Sequence, residues 1–590
     1  MSDDDFGYVL SPQPKVSSRP RHPQAGRIQQ LWSIFQENVD PLTKVVHVPE
    51  LDPAMQRACS DAESVSRSFE ALMFAVYSAA VMSLSDDECK ALLNEPRKRL
   101  LASYIASTRV ALSRAKIMST TDIVVLQALI LHLLSIREIH EPRAVWSLTG
   151  VAVRIAQSMG LERDGSSLAL SAYETEMRRR IWWQLRTLDS QVADLCGLSK
   201  FRDCEMGPDS TKWPTNINDA QLQPGMVSPP AASNTLTDVC FVALRYELVS
   251  FAANRVNDVR KQGGDTSQWE QHVASEVNRT GSRAVLREME DHIETKYLRY
   301  CDPSQPLHLM TMLLARSAIN TVQFMTHHPR RWRSPSQMPV DESQFVWEAS
   351  IKLLEYHNML HSNPQLKQFA WSAAFVLQWH AFIYLLDTLR AHPLRTDADK
   401  AWRLIASTYE NNQAMIMDTW KPIHAAVAGL CLKAFDIRTA AVSQGKGLPA
   451  QATPKFILKL RGQQRTAASK KRNLDTTDRT PYTHTPGGDQ LNLDLSTAPI
   501  VPNFVSSSIP LHMHQSASVQ HGDVARDSAA YSNSNHDGSQ YIHSSKEVHP
   551  QWDAGWNDAV ESDAWIYASW EQWDTWLADS IVRSPFSPST

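Results

Sequence analysis

Apolar residues recur at helical spacing from about Arg27 to about Ala441, and strand-like alternation is nearly absent over that whole length. Such a chain offers stripes in steps of three and four, broken by short Pro, Gly, Asn or Asp punctuation. It can bury its apolar side chains by packing helix on helix, and it lacks the pattern from which a sheet-based core is built. The expected fold class is all-α: a large irregular helical bundle, with about fifteen helices on the ~11–12 residue mean length.

Two of these helices can be drawn residue by residue. The first runs from about Arg143 to Met159, with Leu148, Val151, Ile155 and Met159 on one stripe. Gly160 then stands where a left-handed C-terminal cap belongs, and Leu161 supplies the apolar contact after it. The second opens on Ser171 and Glu174, which have capping-box spacing. Met177, Ile181, Leu185, Leu188, Val192 and Leu195 follow on one face, Glu174/Arg178 and Glu176/Arg180 form favourable one-turn pairs, and Gly197 ends the run.

The flanks read differently. Residues 1–26 hold four prolines and no apolar period, as a flexible leader would. A Pro-rich loop covers about 207–234, and helical patterning resumes by Leu236. Residues 442–550, rich in Ser, Thr, Asn, Gln, His and Gly, are expected to be a disordered linker carrying a basic patch, so that the bundle sits between a disordered leader and a long disordered C-terminal region. Residues 551–582 form a distinct acidic and aromatic segment.

Composition narrows the setting. With 43% hydrophobic and 21% charged residues, the chain is ordinary for a soluble globular protein, and a net charge of −4 gives no general attraction to nucleic acid. Its seven cysteines (59, 89, 196, 204, 240, 301, 431) include no C-x-x-C, which fits reduced thiols in a cytosolic or nuclear compartment and speaks against a cysteine-rich zinc site. The N-terminus is acidic where a secretory signal is basic. The most apolar stretch, Ala370 to Leu386, is interrupted by Ser372, Gln378 and His380 and falls short of the ~20 residues a membrane span needs. It reads as a buried helix, and no membrane partner is expected.

Val145 to Gly197 reads VWSLTGVAVRIAQSMGLERDG and then, from Tyr173, YETEMRRRIWWQLRTLDSQVADLCG. This stretch resembles the signature of the fungal-specific transcription factor domain, the middle homology region of zinc binuclear cluster (Zn2Cys6) regulators. LWSIFQENVDPLTKVVHVPEL at 31–51 resembles the family's opening helix and loop, WPTNINDAQLQP at 213–224 the loop after the signature, and HHPRRW at 327–332 a later, less specific motif. The resemblance implies a nuclear regulator of RNA polymerase II genes, often of secondary-metabolite clusters, that recruits transcription machinery or a coactivator. It also allows a homodimer and a small-molecule inducer.

The family grips DNA through a six-cysteine cluster holding two zinc ions, which would lie before Leu31. Residues 1–30 contain no cysteine, so the family's zinc and DNA residues map onto no position here, and no cofactor is expected in this chain. Two expectations stay open. Either the coding start lies upstream, adding a cluster and direct DNA contact, or the protein is a co-regulator that reaches DNA through partner factors.

The signature residues Arg154, Arg178, Arg179, Arg180, Trp182, Trp183 and Asp189 read as structural. The arginine run can neutralise phosphate, but two of its members face carboxylates one turn earlier and share a helix with a strongly apolar face. Trp182 and Trp183 read as core anchors. Asp189 is expected to pair with a neighbouring arginine or cap a backbone group, His327 and His328 point apart without further metal ligands, and His380 reads as a core histidine.

Lys455, Lys459, Arg461, Arg465, Lys470, Lys471 and Arg472 form a run without an acid between its ends; Lys470, Lys471 and Arg472 are the candidate nuclear-import residues, balanced against a merely solvated linker. Residues 551–582 hold six of the eighteen tryptophans and seven acids, with no Lys, Arg or His. Ile566, Trp570, Trp573, Leu577 and Ile581 fall at helical steps, with Trp556, Trp565 and Trp576 nearby, giving a latent amphipathic helix suited to a partner's groove and to transcriptional activation. Docking of the same segment back onto the bundle is the competing expectation. Among catalytic motifs there is no G-x-S-x-G, H-E-x-x-H, P-loop or strand-borne G-x-G-x-x-G, and no enzymatic role is expected.

Overall fold

The computed structural model of the protein describes residues 19–137, 139–195, 210–233, 235–261, 279–327, 338–375, 379–417, 422–444 and 453–477. Among them are eighteen α-helical segments, short 3-10 turns and one π turn, and no β-strand; a single isolated bridge joins Arg163 and Ser210. The all-α expectation holds. The extra helices beyond about fifteen are four-residue turns and one segment that had read as linker.

The first core is built on α1 (Ala25–Ile34), α2 (Asp40–Thr43), α3 (Val48–Ser60), α4 (Arg67–Ser83), α5 (Asp86–Leu93), α6 (Arg97–Arg114), α7 (Ile123–Ile136), α8 (Pro142–Ser158) and α9 (Ala172–Leu195). α4 is its axis. Ser66 caps it by accepting from Phe69 N (3.2 Å), and every residue from Glu70 to Ser83 is buried, because α6 and α7 pack against it. A helix apolar on all sides is stable only in such a position. The polar residues it buries are partnered: Ser78 meets Thr108 of α6 at 3.0 Å, and Glu70, 1% exposed, receives Arg114 at 2.8 Å.

Glu70 also corrects the reading of residues 1–26 as a leader. Arg19 Nε lies 2.5 Å from its carboxylate, and His22 stacks on Phe74 with ring centroids 4.5 Å apart. Residues 19 to 26 thus belong to the first core, and residues 1–18 lie outside the described residues. Periodicity could not foresee this, because the anchor is a buried carboxylate and not an apolar stripe.

The second core gathers α13 (Val340–Ser362), α14 (Trp379–Ala391), α15 (Ala398–Asn411), α16 (Ala414–Met417), α17 (Pro422–Gln444) and α18 (Lys455–Thr477). Trp347 at its centre is fully buried and donates to Asp397 at 2.5 Å. Between the two cores lie α10 (Cys240–Lys261), α11 (Arg279–Lys296) and α12 (Pro306–Thr326).

Two sequence expectations are revised here. The stretch Ala370–Leu386 is not one helix: Pro364–Phe375 is a 3-10 segment and α14 starts at Trp379. Trp371 in the 3-10 segment donates its indole N–H to the Asn38 carbonyl at 3.0 Å and pins the segment against the first core. The linker assigned to 442–550 contains α18, whose Phe456, Ile457 and Leu460 are buried against the second core, with Phe456 stacked on Tyr409 at 5.2 Å. Lysines and arginines between those apolar positions hid the amphipathic pattern. Among the described residues no helix is long and apolar enough to cross a membrane.

Candidate functional site

The two signature helices α8 and α9 are joined by a turn whose chemistry is local. Gly160 sits at φ +74°, and the backbone closes as expected: Gly160 N donates to Gln157 O (2.9 Å) and Leu161 N to Ala156 O (3.0 Å), with Leu161 fully buried. Gly165 then passes so near α9 that a Cβ there would stand 2.6 Å from Thr175 Oγ1 and 2.9 Å from its Cα. The capping box forms: Glu174 N donates to Ser171 Oγ (3.2 Å), and Ser171 N to the Glu174 carboxylate (3.2 Å). Met177, Ile181, Leu185, Leu188 and Val192 are buried on one face.

The arginine run faces inward and sideways, toward protein partners. Arg178 does not pair with Glu174, which the capping box occupies; it donates to the Met159 carbonyl at 2.9 Å, near the end of α8. Arg179 grips Asp164 with two bonds of 2.8 Å. Arg180 is fully buried, 3.1 Å from Glu176 one turn earlier and 2.6 Å from Asp219 in the following loop.

From Asp219 the network continues to the opening motif. Lys44 Nζ lies 2.7 Å from Asp219 Oδ2 and 2.7 Å from Asp40 Oδ2, all three side chains being buried. Lys44 itself is left-handed at φ +48°, a conformation that favours glycine. Glu176 accepts the Thr215 backbone N–H through both oxygens (3.1 and 3.0 Å), and the Lys212 backbone N–H donates to Asp164 at 2.9 Å. Trp183 stacks on Trp213 at 3.9 Å and donates to the Lys212 carbonyl at 3.0 Å. The opening motif, the signature and the loop after it, far apart in sequence, therefore close on one buried charge clamp.

The clamp sets three carboxylates (Asp40, Glu176, Asp219) against two cations (Lys44, Arg180). Burial raises the pKa of Asp40 and of Glu176, outweighing Lys44 and Arg180 respectively. Burial would likewise raise that of Asp219, but Lys44 and Arg180 together hold it below the usual carboxylate range. Asp164 is held well below that range too, its burial overcome by Arg179. Beside the clamp is a cleft of about 330 Å³, lined by Pro41, Asn218, Thr237, Asp238, Pro306 and Phe369 among others. Asp238 accepts from Asp219 N at 3.1 Å.

The remaining signature residues surround this centre. Trp182 is half-buried beneath the Arg186 guanidinium, 5.8 Å from its ring. Asp189 accepts from Thr149 Oγ1 at 2.6 Å and lies 3.7 Å from Arg186. Arg154 is exposed on α8. Of the later motif, His327 meets Glu342 at 2.5 Å, while His328 to Trp332 lie outside the described residues. His380 is half-buried. Lys470, Lys471 and Arg472 fall on α18, and the whole of 551–582 lies outside the described residues.

Sequence reasoning had Glu176 with Arg180 and missed Asp40, Lys44, Asp164 and Asp219. The one local signal was Asp40 and Lys44 at i,i+4 within the opening motif. The arrangement positions chain segments; among the described residues no group of three or more His, Cys, Asp or Glu is placed to hold a metal ion.

Residues 28–206 match the family described as the fungal specific transcription factor domain. The aurofusarin cluster transcription factor aurR2 of Gibberella zeae is 35% identical over 452 residues, 76% of this chain and 66% of that protein. The transcriptional regulator AacuB of Aspergillus aculeatus is 31% identical over 454 residues (76% and 60%), and the pyriculol/pyriculariol biosynthesis cluster transcription factor 1 of Pyricularia oryzae is 27% identical over 455 (76% and 60%). The chain thus spans 60% to 66% of the length of these relatives. With its signature helices, opening segment and following loop folded into one clamp, and with these relatives, the chain belongs to the fungal-specific transcription factor domain family.

Proposed function

We propose that the protein is a nuclear regulator of RNA polymerase II transcription in a fungus, and that it controls a secondary-metabolite gene cluster. The helical body is the regulatory scaffold, and residues 551–582 are the segment that engages transcription machinery or a coactivator through Trp556, Trp565, Ile566, Trp570, Trp573, Trp576 and Leu577. Lys470, Lys471 and Arg472 serve nuclear import.

The observation that carries this reading is the convergence of three family-like motifs on the Lys44–Asp219–Arg180 clamp, inside a stretch that aligns with named cluster regulators. The clamp supports a scaffold in preference to an active site: its charges are paired with one another and buried, and none is offered to a substrate. Deleting the gene and sequencing the transcriptome tests the proposal. Transcripts of one contiguous biosynthetic cluster should fall; a deletion strain with every such cluster unchanged would refute it.

A further inference from the structure

We propose that the cleft beside the charge clamp is a binding site for a small organic monocation, an ammonium group carried on a compact apolar body. Its volume of about 330 Å³ stands at the lower end of the range that holds small molecules. Four separate stretches of chain wall it: Pro41 of α2, the loop that ends at Asp238, the first turn of α12, and the 3-10 segment that holds Phe369. Leu236, Leu307 and Phe369 supply apolar surface. Among the described residues that line it, Asp238 is the one carboxylate, and there is no lysine or arginine.

Charge decides which ligand such a cleft takes. Asp238 is exposed; its Oδ2 accepts from Asp219 N at 3.1 Å, and its Oδ1 has no partner among the described residues. An ammonium donating to that carboxylate makes a charge-assisted bond, roughly twice as strong as a neutral one. His308, also in the lining, accepts from the Asp302 N–H through Nδ1 at 3.2 Å, a bond that requires the neutral ring. The clamp behind Asp238 sets three carboxylates against two cations, so it adds no net positive charge to oppose a cation.

The wall around Asp238 is preformed. Asp238 N donates to Asn218 Oδ1 at 3.1 Å, and Thr237 Oγ1 donates to Asn216 Oδ1 at 2.7 Å, so little ordering remains for a ligand to impose. The cleft is also coupled to the clamp. Pro41 follows Asp40, Asn218 precedes Asp219, and Asp238 holds the Asp219 amide. A ligand that bridges these walls binds the folded chain alone and raises its unfolding temperature. The inference goes beyond the regulatory reading and stands whichever genes are controlled, since its readout is binding.

The test is calorimetric titration of the full chain with phenethylammonium, with phenethyl alcohol and phenylacetate as the neutral and anionic counterparts of the same aryl body. The wild type should bind a single equivalent of the amine in the micromolar to millimolar range and unfold at a higher temperature in its presence. It should bind the alcohol about tenfold more weakly. Asp238→Asn keeps an acceptor for the Asp219 amide, should unfold at the wild-type temperature without the probe, and should bind the amine about tenfold more weakly. Gln368→Trp, which fills the cleft from the 3-10 segment, should weaken the amine and the alcohol alike and so separate volume from charge.

The absence of amine binding at millimolar concentration, equal affinity for the amine and the alcohol, or unchanged amine binding in Asp238→Asn would overturn the proposal. Unweakened binding to folded Gln368→Trp would place the amine elsewhere on the surface and end it too. Tighter binding of phenylacetate would assign the cleft to an anion, with the same result.

Discussion

Lys44 and Asp219 stand 175 positions apart in sequence and meet at 2.7 Å in the interior. Lys44 reaches that point from a left-handed backbone that costs about 1–2 kcal/mol for an L-residue. The strain persists because the ammonium is held by two carboxylates, Asp40 being the other. Asp219 in turn is shared with Arg180, so one carboxylate ties the opening motif to the signature helix.

Asp219→Asn keeps the side chain's shape but leaves Lys44 and Arg180 each short of an anion in the interior. The expected loss is about 3–5 kcal/mol, read as a lower urea midpoint with an unchanged slope. Lys44→Met should be less costly in the Asp219→Asn background than in the wild type, with a coupling of about 1–3 kcal/mol. A single substitution costing under ~0.5 kcal/mol would place the clamp among marginal surface pairs.

The stability of the second core should depend on pH through His357. This ring is buried, accepts from Asn412 Nδ2 at 3.0 Å, and has its pKa lowered by burial to about 3. An unfolded histidine titrates near ~6.5, so below that pH the unfolded state binds the extra proton and stability falls by about 1.4 kcal/mol per pH unit until about pH 3. His132, also buried and lowered to about 3, adds a component of the same sign. In His357→Leu the decline between pH 6 and 4 should be shallower by one proton; equal slopes in denaturant titrations would remove His357 from the account.

The turn between the signature helices should tolerate its two glycines' replacement unequally. Gly160→Ala meets only the left-handed backbone, at about 1 kcal/mol. Gly165→Ala drives a methyl group into the backbone of Thr175, where α9 cannot retreat without loosening the Arg179–Asp164 pair, and about 2–3 kcal/mol is expected. Thermal unfolding of the two variants gives the ranking directly, and a Gly165→Ala protein as stable as the wild type would contradict it.

Residues 546–590 fused to an unrelated DNA-binding domain should activate a reporter, because an aromatic face needs only tethering to engage its partner. Trp570→Ala/Trp573→Ala should abolish that output. A fusion that activates equally well with both tryptophans gone would transfer the activity to some other part of the segment.

What could be seen in the sequence divides along a physical line. Helix spacing, the Ser171/Glu174 cap and the Gly160 stop are local effects, fixed within a few residues, and each stands as expected. The clamp is non-local: nothing near Asp219 announces a buried lysine 175 positions earlier, and a lysine is ordinarily a surface residue. The same limit hid Arg19, whose partner Glu70 lies 51 positions on, and α18, whose three buried residues are outnumbered by the charges around them. The Glu174–Arg178 pair failed for a different reason, because one carboxylate cannot serve both a cap and a neighbour.

The placement of the clamp has a consequence for a severed chain. Asp164, Glu176, Arg179 and Arg180 all precede residue 196, and Lys212, Thr215 and Asp219 all follow residue 209. The same body assembled from two separately made pieces, one ending after Arg180 and the other starting before Lys212, would leave each piece holding the other's counter-charges. Two bands on a denaturing gel would then correspond to one native particle, held together by the clamp and by the Trp183–Trp213 contact without a peptide bond between the pieces.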